Sequence, residues 1–193
     1  MFLCAVLLVA CSTNRTQVPA VRWSLEDDLS YYKELREETG DVMKSIFVGQ
    51  LEMARKVKGY SENSARAASR NCDSWMMVQR VGIGTSLYDF KFLCKTEREK
   101  WTVVAGNAFK SSFTVPSEAV SDVDADRILM SAAVRPCVCS SSSVDAPSYF
   151  LTAWDGHSLS RNAVHLPRRN EAGASFERQV AANLVLDAFA LGH

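Results

Sequence analysis

The most constraining feature of this chain is a stretch in which apolar side chains recur at every second residue. This pattern runs through residues 88–94 (YDFKFLC). A period of two is typical of a β-strand with one buried face. The charged segment 95–100 (KTEREK) follows, and residues 101–105 (WTVVA) are again strand-like. This order predicts a β-hairpin, so we expect the middle of the chain to belong to a β-sheet.

The residues before this hairpin have helical periodicity instead. Ser24 is a predicted N-cap, with apolar residues three or four positions apart through 25–35, and Gly40 is the predicted end of that helix. A second helix is predicted over 41–59, although the two could form one long bent helix. Residues 61–71 (SENSARAASRN) are either a weakly buried helix or a surface loop.

The second half of the chain continues with further helices and strands. The predicted elements are a strand at 112–115, a helix within 116–134, strands at 149–154 and 157–166, and a helix at 175–191. Asp155-Gly156 between two strand-like runs is a hairpin signal, because both positions of a two-residue turn need positive φ. The order predicts an α+β fold: a mostly antiparallel sheet of about five strands, with N-terminal and C-terminal helices packed on it.

The N-terminus has a different character, since its first fourteen residues (MFLCAVLLVACSTN) carry no charge. The apolar run from Phe2 to Cys11 is too short for a membrane-spanning helix, which needs about 20 residues. It has the length of a signal-peptide core, typically about 7–15 residues. The run ends in Leu8-Val9-Ala10-Cys11, which resembles the lipobox of bacterial lipoproteins.

This resemblance implies cleavage before Cys11, a diacylglycerol on its sulfur, and acylation of the new amino group. Residues 1–10 are then a signal peptide, 11–22 a lipidated tether, and 23–193 a single α+β domain. Ser12 after the acylated cysteine implies the outer membrane, with the domain facing the periplasm. The alternative is that the apolar run is a buried strand or helix of a cytosolic protein.

Four of the six cysteines remain once Cys4 leaves with the signal peptide and Cys11 is lipidated. These four are Cys72, Cys94, Cys137 and Cys139. An even number in an exported chain indicates disulfides, with three possible connectivities. A bond between Cys137 and Cys139 would close a very tight ring and be strained and reducible. We therefore expect Cys72 and Cys94 each to pair with one of those two. In a cytosolic protein, Cys137 and Cys139 would instead indicate a reactive or metal-binding pair.

Motifs for metal binding are incomplete. Asp122, Asp124 and Asp126 have the spacing of the first three ligands of an EF-hand loop, but Arg127 and Ala133 stand where that loop needs glycine and glutamate. The spacing is therefore better explained by an acidic loop that caps a helix starting near Asp126. We predict no bound metal and no cofactor.

Two histidines are the candidates for catalysis. His157 and His165 lie on one predicted strand, about 26 Å apart at a rise of ~3.3 Å per residue, too far to share a metal ion. A nucleophilic pair of Cys137 or Cys139 with one of these histidines is formally possible. Disulfide formation would remove the thiol, so whether the protein is an enzyme stays open, with a non-catalytic role favoured.

Charge is distributed unevenly although the totals cancel. The chain has 22 basic and 22 acidic residues, which argues against a general nucleic-acid binder. Residues 59–110 hold eight basic and five acidic residues, whereas 111–160 hold two basic and six acidic ones. An acidic surface steers a basic partner. The predicted contact residues are Glu118, Asp122, Asp124 and Asp126.

Together these observations predict a lipid-anchored periplasmic protein with a non-catalytic, protein-binding role. One version is an immunity or inhibitor protein that blocks an envelope-targeted toxin. An envelope enzyme with a Cys–His or acidic site is one alternative, and a lipoprotein that maintains the structure of the envelope is another.

Overall fold

A computed structural model describes most of the chain after residue 21. The described residues are 22–41, 44–56, 72–82, 88–96, 100–107, 110–114, 120–134, 137–139 and 146–191. The predicted signal peptide, all of the tether except Arg22, and segment 61–71 lie outside them. No helix in the described part of the chain is both long and apolar enough to cross a membrane.

The described residues form four helices and seven strands. The helices are α1 (Leu25–Thr39), α2 (Ser45–Lys56), α3 (Asp122–Val134) and α4 (Phe176–Ala190). The strands are β1 (Ser74–Val81), β2 (Tyr88–Lys95), β3 (Trp101–Asn107), β4 (Lys110–Thr114), β5 (Val138–Cys139), β6 (Ser148–Trp154) and β7 (Leu159–His165). The α+β class is confirmed, with seven strands where about five were predicted.

All seven strands belong to one sheet, in the order β4-β3-β2-β1-β6-β7-β5. Neighbouring strands are antiparallel, except that the edge strand β5 runs parallel to β7. The sheet is therefore mostly antiparallel, as predicted. Strand β5 is only two residues long and was not predicted.

Strand β1 lies at the centre of the sheet and is buried on both faces. Trp75 and Met77 point to the layer formed by α1 and α2, while Met76 and Val78 point to the layer formed by α3 and α4. All four side chains are fully buried. A strand covered on both sides has apolar residues at consecutive positions, so the alternation that identifies β2 is missing here. For that reason β1 was not predicted from the sequence.

Aromatic rings dominate the core between the sheet and helices α1 and α2. The Tyr32 ring of α1 lies edge-on to Phe150 of β6 at 5.5 Å between centroids, and Phe47 of α2 contacts the same ring at 5.7 Å. On the other face of the sheet, the core is built from smaller side chains. Ala125 and Ala132 of α3 and three alanines of α4 are buried there, which lets these helices pack closely on the strands.

The predicted helix ends are confirmed for α1 and α4. Ser24 Oγ accepts a hydrogen bond from Asp27 N at 3.3 Å, and Gly40 ends α1 with φ +61°, the left-handed conformation that glycine adopts at lowest cost. Ser175 caps α4 in the same way as Ser24, through Arg178 N. Helices α1 and α2 are separate helices, which resolves the alternative of one long bent helix.

The hairpin of β6 and β7 is confirmed, but its turn is not the predicted two-residue type. Gly156 has φ +96°, whereas Asp155 is not in the positive-φ region. The carboxylate of Asp155 instead accepts hydrogen bonds from the backbone N–H groups of His157 and Ser158, both at 2.7 Å. The aspartate thus stabilises a longer turn through its side chain rather than through its backbone conformation.

The cysteine connectivity we favoured from the sequence is wrong. Cys72 bonds to Cys94, with the Cα atoms 5.4 Å apart, and Cys137 bonds to Cys139, with 5.6 Å between Cα atoms. Cys72 precedes β1, and Cys94 lies on the neighbouring strand β2, so strand pairing brings them together. Both Cα separations lie within the usual range for disulfides. The tight ring between Cys137 and Cys139 was thus not a sufficient reason to exclude that bond.

A buried ion pair joins α1 to the sheet. The carboxylate of Asp28 accepts hydrogen bonds from Arg161 Nε at 2.8 Å, Trp23 Nε1 at 2.8 Å and Thr152 Oγ1 at 3.0 Å. Burial raises the pKa of Asp28 above its ordinary value, and Arg161, Trp23 and Thr152 offset part of that rise. The Arg161 guanidinium also lies 4.9 Å from the centre of the Tyr31 ring.

A buried lysine occupies the other face of the sheet. Lys91 Nζ donates to the backbone oxygen of Leu191 at 2.9 Å and lies 5.2 Å from the centre of the Phe189 ring. Burial lowers the pKa of Lys91 to about 8. The contact fixes the end of α4 against β2.

Removing Arg161 should destabilise the fold more than removing an exposed arginine. We expect Arg161→Leu to lower the free energy of unfolding by about 3–5 kcal/mol, because it leaves the buried Asp28 carboxylate without its cation. Arg169→Leu, which breaks a more exposed pair with Asp187, should cost less than about 1 kcal/mol. Urea denaturation measures both. Equal losses of stability in the two variants would show that the buried Asp28–Arg161 pair contributes no more than the exposed pair.

Lys91 should make stability rise with pH above about 8. The unfolded chain keeps this lysine protonated up to about 10.5, whereas the folded chain releases the proton near 8. Between these values the unfolded state binds more protons, so the free energy of unfolding increases with pH, by about 2 kcal/mol. We expect Lys91→Met to flatten this rise in denaturant titrations at pH 8 to 10. The exposed-site variant Lys33→Met should keep the wild-type slope, and a rise that persists in Lys91→Met would contradict the assignment.

Candidate functional site

The described surface contains a cleft between helix α3 and one end of the sheet. Its volume is about 390 Å³. Ser74 at the start of β1 and Lys95 at the end of β2 are paired across the two strands, and Asp155 follows β6. Helix α3 forms the opposite wall. The lining residues from α3 are Asp126, Leu129, Met130 and Ala133.

Asp126 is one of the two carboxylates that line this cleft. Lys95 Nζ donates to both of its oxygens at 2.9 Å, and Trp101 Nε1 donates to one of them at 2.9 Å. Although partial burial alone would raise the pKa of Asp126, the hydrogen bonds from Lys95 and Trp101 outweigh it and lower that pKa. Asp126 is therefore an ionised group that connects α3 to β2 and β3.

Asp155 is the second ionised carboxylate of the cleft. Partial burial would raise its pKa, but the backbone N–H groups of Ser158 and His157 lower it by donating to the carboxylate. Ser158 Oγ also donates to Asp155 Oδ2 at 2.9 Å. The turn thus presents a fixed negative charge at the wall that faces α3.

The predicted acidic contact residues have different positions. Asp122 accepts a hydrogen bond from the backbone N–H of Trp101 at 2.9 Å and so fixes the start of α3 to β3. Asp124 lies 3.5 Å from Arg127 on the outer side of the helix. Helix α3 begins at Asp122, four residues before its predicted start near Asp126. Glu118 lies outside the described residues.

Apolar side chains are exposed beside these charges. Val123 is 78% exposed and Met130 is 70% exposed. They are seven residues apart, so two turns of helix place them on the same side of α3. Asp126 and Ala133 lie on the same line at intervals of three or four residues. We call Val123, Asp126, Met130 and Ala133 the α3 stripe.

Exposed large apolar residues are few in the described part of the chain. Besides Val123 and Met130, that group contains only Phe176 at the start of α4. Single exposed apolar residues are normal on a protein surface, and here two of them share one face of a helix beside a cleft. The acidic residues here were predicted from the sequence, whereas the exposed Val123 and Met130 were not, although their helical spacing is visible in the sequence.

The histidines considered for catalysis are separated by burial. His165 is fully buried and its Nδ1 lies 2.9 Å from Ser148 Oγ, which is also fully buried. This serine–histidine pair has no access for a substrate. His157 is exposed in the β6–β7 turn, next to Asp155. The two histidines therefore do not form a common site.

The cysteines considered for catalysis are bonded to each other. Because Cys137 and Cys139 form a disulfide, neither sulfur is a thiol nucleophile in this state. In the described ranges, no group of three or more histidine, cysteine, aspartate or glutamate residues is arranged to hold a metal ion. The described surface thus places exposed apolar side chains of α3 next to carboxylates that are held by hydrogen bonds.

No protein family, curated protein or solved structure matches the chain.

Proposed function

We propose that this protein is a lipid-anchored protein of the outer membrane that binds another protein from the periplasmic side without catalysing a reaction. The observation that carries the binding role is the α3 stripe. It exposes Val123 and Met130 next to a cleft whose charged groups are held in fixed positions. Apolar side chains beside ordered charges are typical of a protein-binding surface, in which the apolar groups supply affinity and the charges supply orientation.

Charge indicates the chemistry of the partner. Helix α3 and the cleft carry four carboxylates and only two cations. The carboxylates are Asp122, Asp124, Asp126 and Asp155, and the cations are Lys95 and Arg127. Lys95 is already paired with Asp126. We therefore propose a partner segment with a lysine or arginine flanked by apolar side chains, its cation directed at Asp155 and its apolar groups packed on Met130.

One version of this role is an immunity or inhibitor protein that blocks a toxin acting in the envelope. A blocking protein needs a stable fold and one binding surface, and it needs no catalytic group. Small lipid-anchored domains without catalytic motifs suit this task. A role in maintaining the structure of the envelope uses the same anchor and the same surface, with a resident envelope protein as the partner.

The enzyme alternative has weaker support. Its candidate nucleophiles are Cys137 and Cys139, which are bonded to each other, and its candidate base His165 is buried against Ser148. The acidic groups of the cleft have lowered pKa values, whereas a carboxylic acid that donates a proton near neutral pH needs a raised one. These features favour binding over catalysis at this surface.

The anchor rests on the sequence alone. Leu8-Val9-Ala10-Cys11 lies outside the described residues, and Arg22 is the first described residue before α1. The polar segment between Cys11 and Arg22 has the composition of a tether that separates a domain from the bilayer. Two or more acyl chains on Cys11 would anchor the protein stably, because each buried methylene contributes about 0.8 kcal/mol.

Crosslinking from α3 should capture the partner. With a photoreactive phenylalanine analogue at position 130 of the full chain, we expect one dominant crosslinked protein in cells that express the protein naturally. The same analogue at position 37, exposed on α1 across the sheet, should not capture it. The captured protein is then purified. Met130→Asp should weaken binding of the purified partner at least about tenfold in calorimetry, because it places a charge where the complex would bury an apolar side chain.

A matched substitution separates the α3 stripe from a general surface effect. Phe176→Asp places the same charge at another exposed apolar residue that does not line the cleft, and it should leave affinity within about twofold. Binding should also weaken as salt increases, because the carboxylates of the cleft are screened. Equal crosslinking from positions 37 and 130, or unchanged affinity in Met130→Asp, would refute the assignment of this surface.

Cys11 should carry the lipid. In bacterial cells labelled with radioactive palmitate, we expect label on the wild-type protein and on Cys4→Ser, and none on Cys11→Ser, because only Cys11 ends the lipobox. The proteins that carry the label should also partition into the detergent phase, whereas Cys11→Ser should stay in the aqueous phase. An unlabelled wild-type protein, or label that persists in Cys11→Ser, would rule out the lipoprotein proposal while leaving the crosslinking result unaffected.

A further inference from the structure

The two disulfides of this protein lie in contrasting surroundings. Cys72 and Cys94 are 5% and 8% exposed and join the two central strands β1 and β2. Cys137 and Cys139 are both partly exposed, and their bond spans only one intervening residue. Cys139 lies on β5, the two-residue strand at one edge of the sheet, and Cys137 directly precedes that strand. Solvent and other molecules can therefore approach the second bond but not the first.

The backbone of Cys137 and Cys139 is held by contacts that do not involve sulfur. The N–H of Cys137 donates to Asn162 Oδ1 at 2.9 Å, and its carbonyl accepts from Ala163 N at 2.9 Å. The carbonyl of Cys139 accepts from Arg178 Nη1 at 3.3 Å. Because none of these hydrogen bonds involves sulfur, we expect them to keep the two Cα atoms near their separation of 5.6 Å when the disulfide opens.

The Asn162 and Arg178 side chains that bind this segment are themselves fixed by further hydrogen bonds. Asn162 is fully buried and donates through its side-chain nitrogen to the carbonyl of Ala132 on α3 at 3.3 Å. Arg178 Nε is paired with Glu171 at 2.8 Å, and its Nη2 donates to the carbonyl of His165 at 3.1 Å. The segment that carries the two cysteines is therefore attached to β7, α3 and α4 independently of the disulfide.

The short spacing also limits what the bond contributes to folding. A disulfide stabilises a protein mainly by restricting the unfolded chain, and this effect grows with the number of residues in the closed loop. Cys72 and Cys94 are 22 residues apart, whereas Cys137 and Cys139 are two apart. The second bond therefore restricts the unfolded chain much less than the first, and opening it should leave the fold in place.

We propose that Cys137 and Cys139 form a redox-active pair that exchanges between disulfide and dithiol while the protein stays folded. The reacting partner is a thiol, either glutathione or a dithiol of another protein. This role is independent of the partner-binding role of α3, because β5 lies at the sheet edge and does not line the cleft.

The chemistry is ordinary thiol–disulfide exchange. A donor thiolate attacks one sulfur of the Cys137–Cys139 bond, forms a mixed disulfide with it and releases the other sulfur as a thiolate. A second donor thiolate then attacks the donor sulfur of the mixed disulfide, which releases the second cysteine and the oxidised donor. Two electrons and two protons pass from two donor thiols to the pair, and the reverse sequence oxidises it again.

The test compares the two disulfides within one molecule. The full chain is equilibrated in buffers of increasing dithiothreitol, free thiols are trapped with a maleimide, and each cysteine is quantified by peptide mass spectrometry. We expect Cys137 and Cys139 to open at a dithiothreitol concentration at least about tenfold lower than Cys72 and Cys94. Near-ultraviolet circular dichroism, which reports the buried tryptophans, should be unchanged when the first pair has opened.

Single-cysteine variants test the exchange step itself. Cys139→Ser leaves Cys137 as a thiol on the held backbone, and we expect it to form a mixed disulfide with oxidised glutathione that mass spectrometry detects. Cys137→Ser/Cys139→Ser should keep the wild-type near-ultraviolet spectrum, and its peptide that spans residues 137–139 should carry no glutathione. The proposal is overturned if both disulfides open together as the spectrum is lost, if Cys72–Cys94 opens first, or if Cys139→Ser remains folded without forming an adduct.

Discussion

Burial of β1 on both faces is the constraint on which the rest of this structure depends. Trp75, Met76, Met77 and Val78 follow one another along the strand, and all are fully buried. Because successive side chains of a strand point to opposite faces, such a run needs a covering layer on each side of the sheet. Helices α1 and α2 supply one layer, and α3 and α4 supply the other. The helices thus complete the burial that the central strand requires.

The two layers meet this requirement in different ways. The α1–α2 side uses large aromatic rings and pairs its buried charge, Asp28, with Arg161. The α3–α4 side uses alanines that bring the helices close to the strands. The carboxylates of Asp122 and Asp126 accept hydrogen bonds from Trp101 and tie the helix to β3, whereas Asp124 lies on the outer side of α3 next to Arg127.

The sequence predicted those elements whose signals are local. The helix ends at Ser24, Gly40 and Ser175 depend on one residue and its immediate neighbours, and so does the alternation in β2. Strand β1 was missed because double burial removes the alternation, and β5 was missed because two residues carry no period. The cysteine connectivity was misjudged since it depends on which strands are neighbours, and β1 had not been recognised as the partner of β2.

The candidate site was predictable only in part for a related reason. The acidic cluster at Asp122, Asp124 and Asp126 is visible as a run of residues, but the opposite wall of the cleft is not. Ser74, Lys95 and Asp155 are far apart in the sequence and meet because the start of β1 and the ends of β2 and β6 lie at the same end of the sheet. Moreover, two of the acidic residues also fasten α3 to the sheet, so charge alone did not distinguish a contact surface from an attachment.

Helix α3 therefore combines two requirements along its length. Its inner side must be small and apolar to cover the sheet, and its carboxylates must be engaged to keep the helix in place. Neither requirement explains Val123 and Met130, which are exposed and contribute nothing to that covering layer. Leaving a large apolar side chain in water forgoes about 1.5–3 kcal/mol of burial free energy. A second molecule that covers these two side chains would recover that free energy, which is why the α3 stripe, and not the charge of the segment alone, supports a binding role.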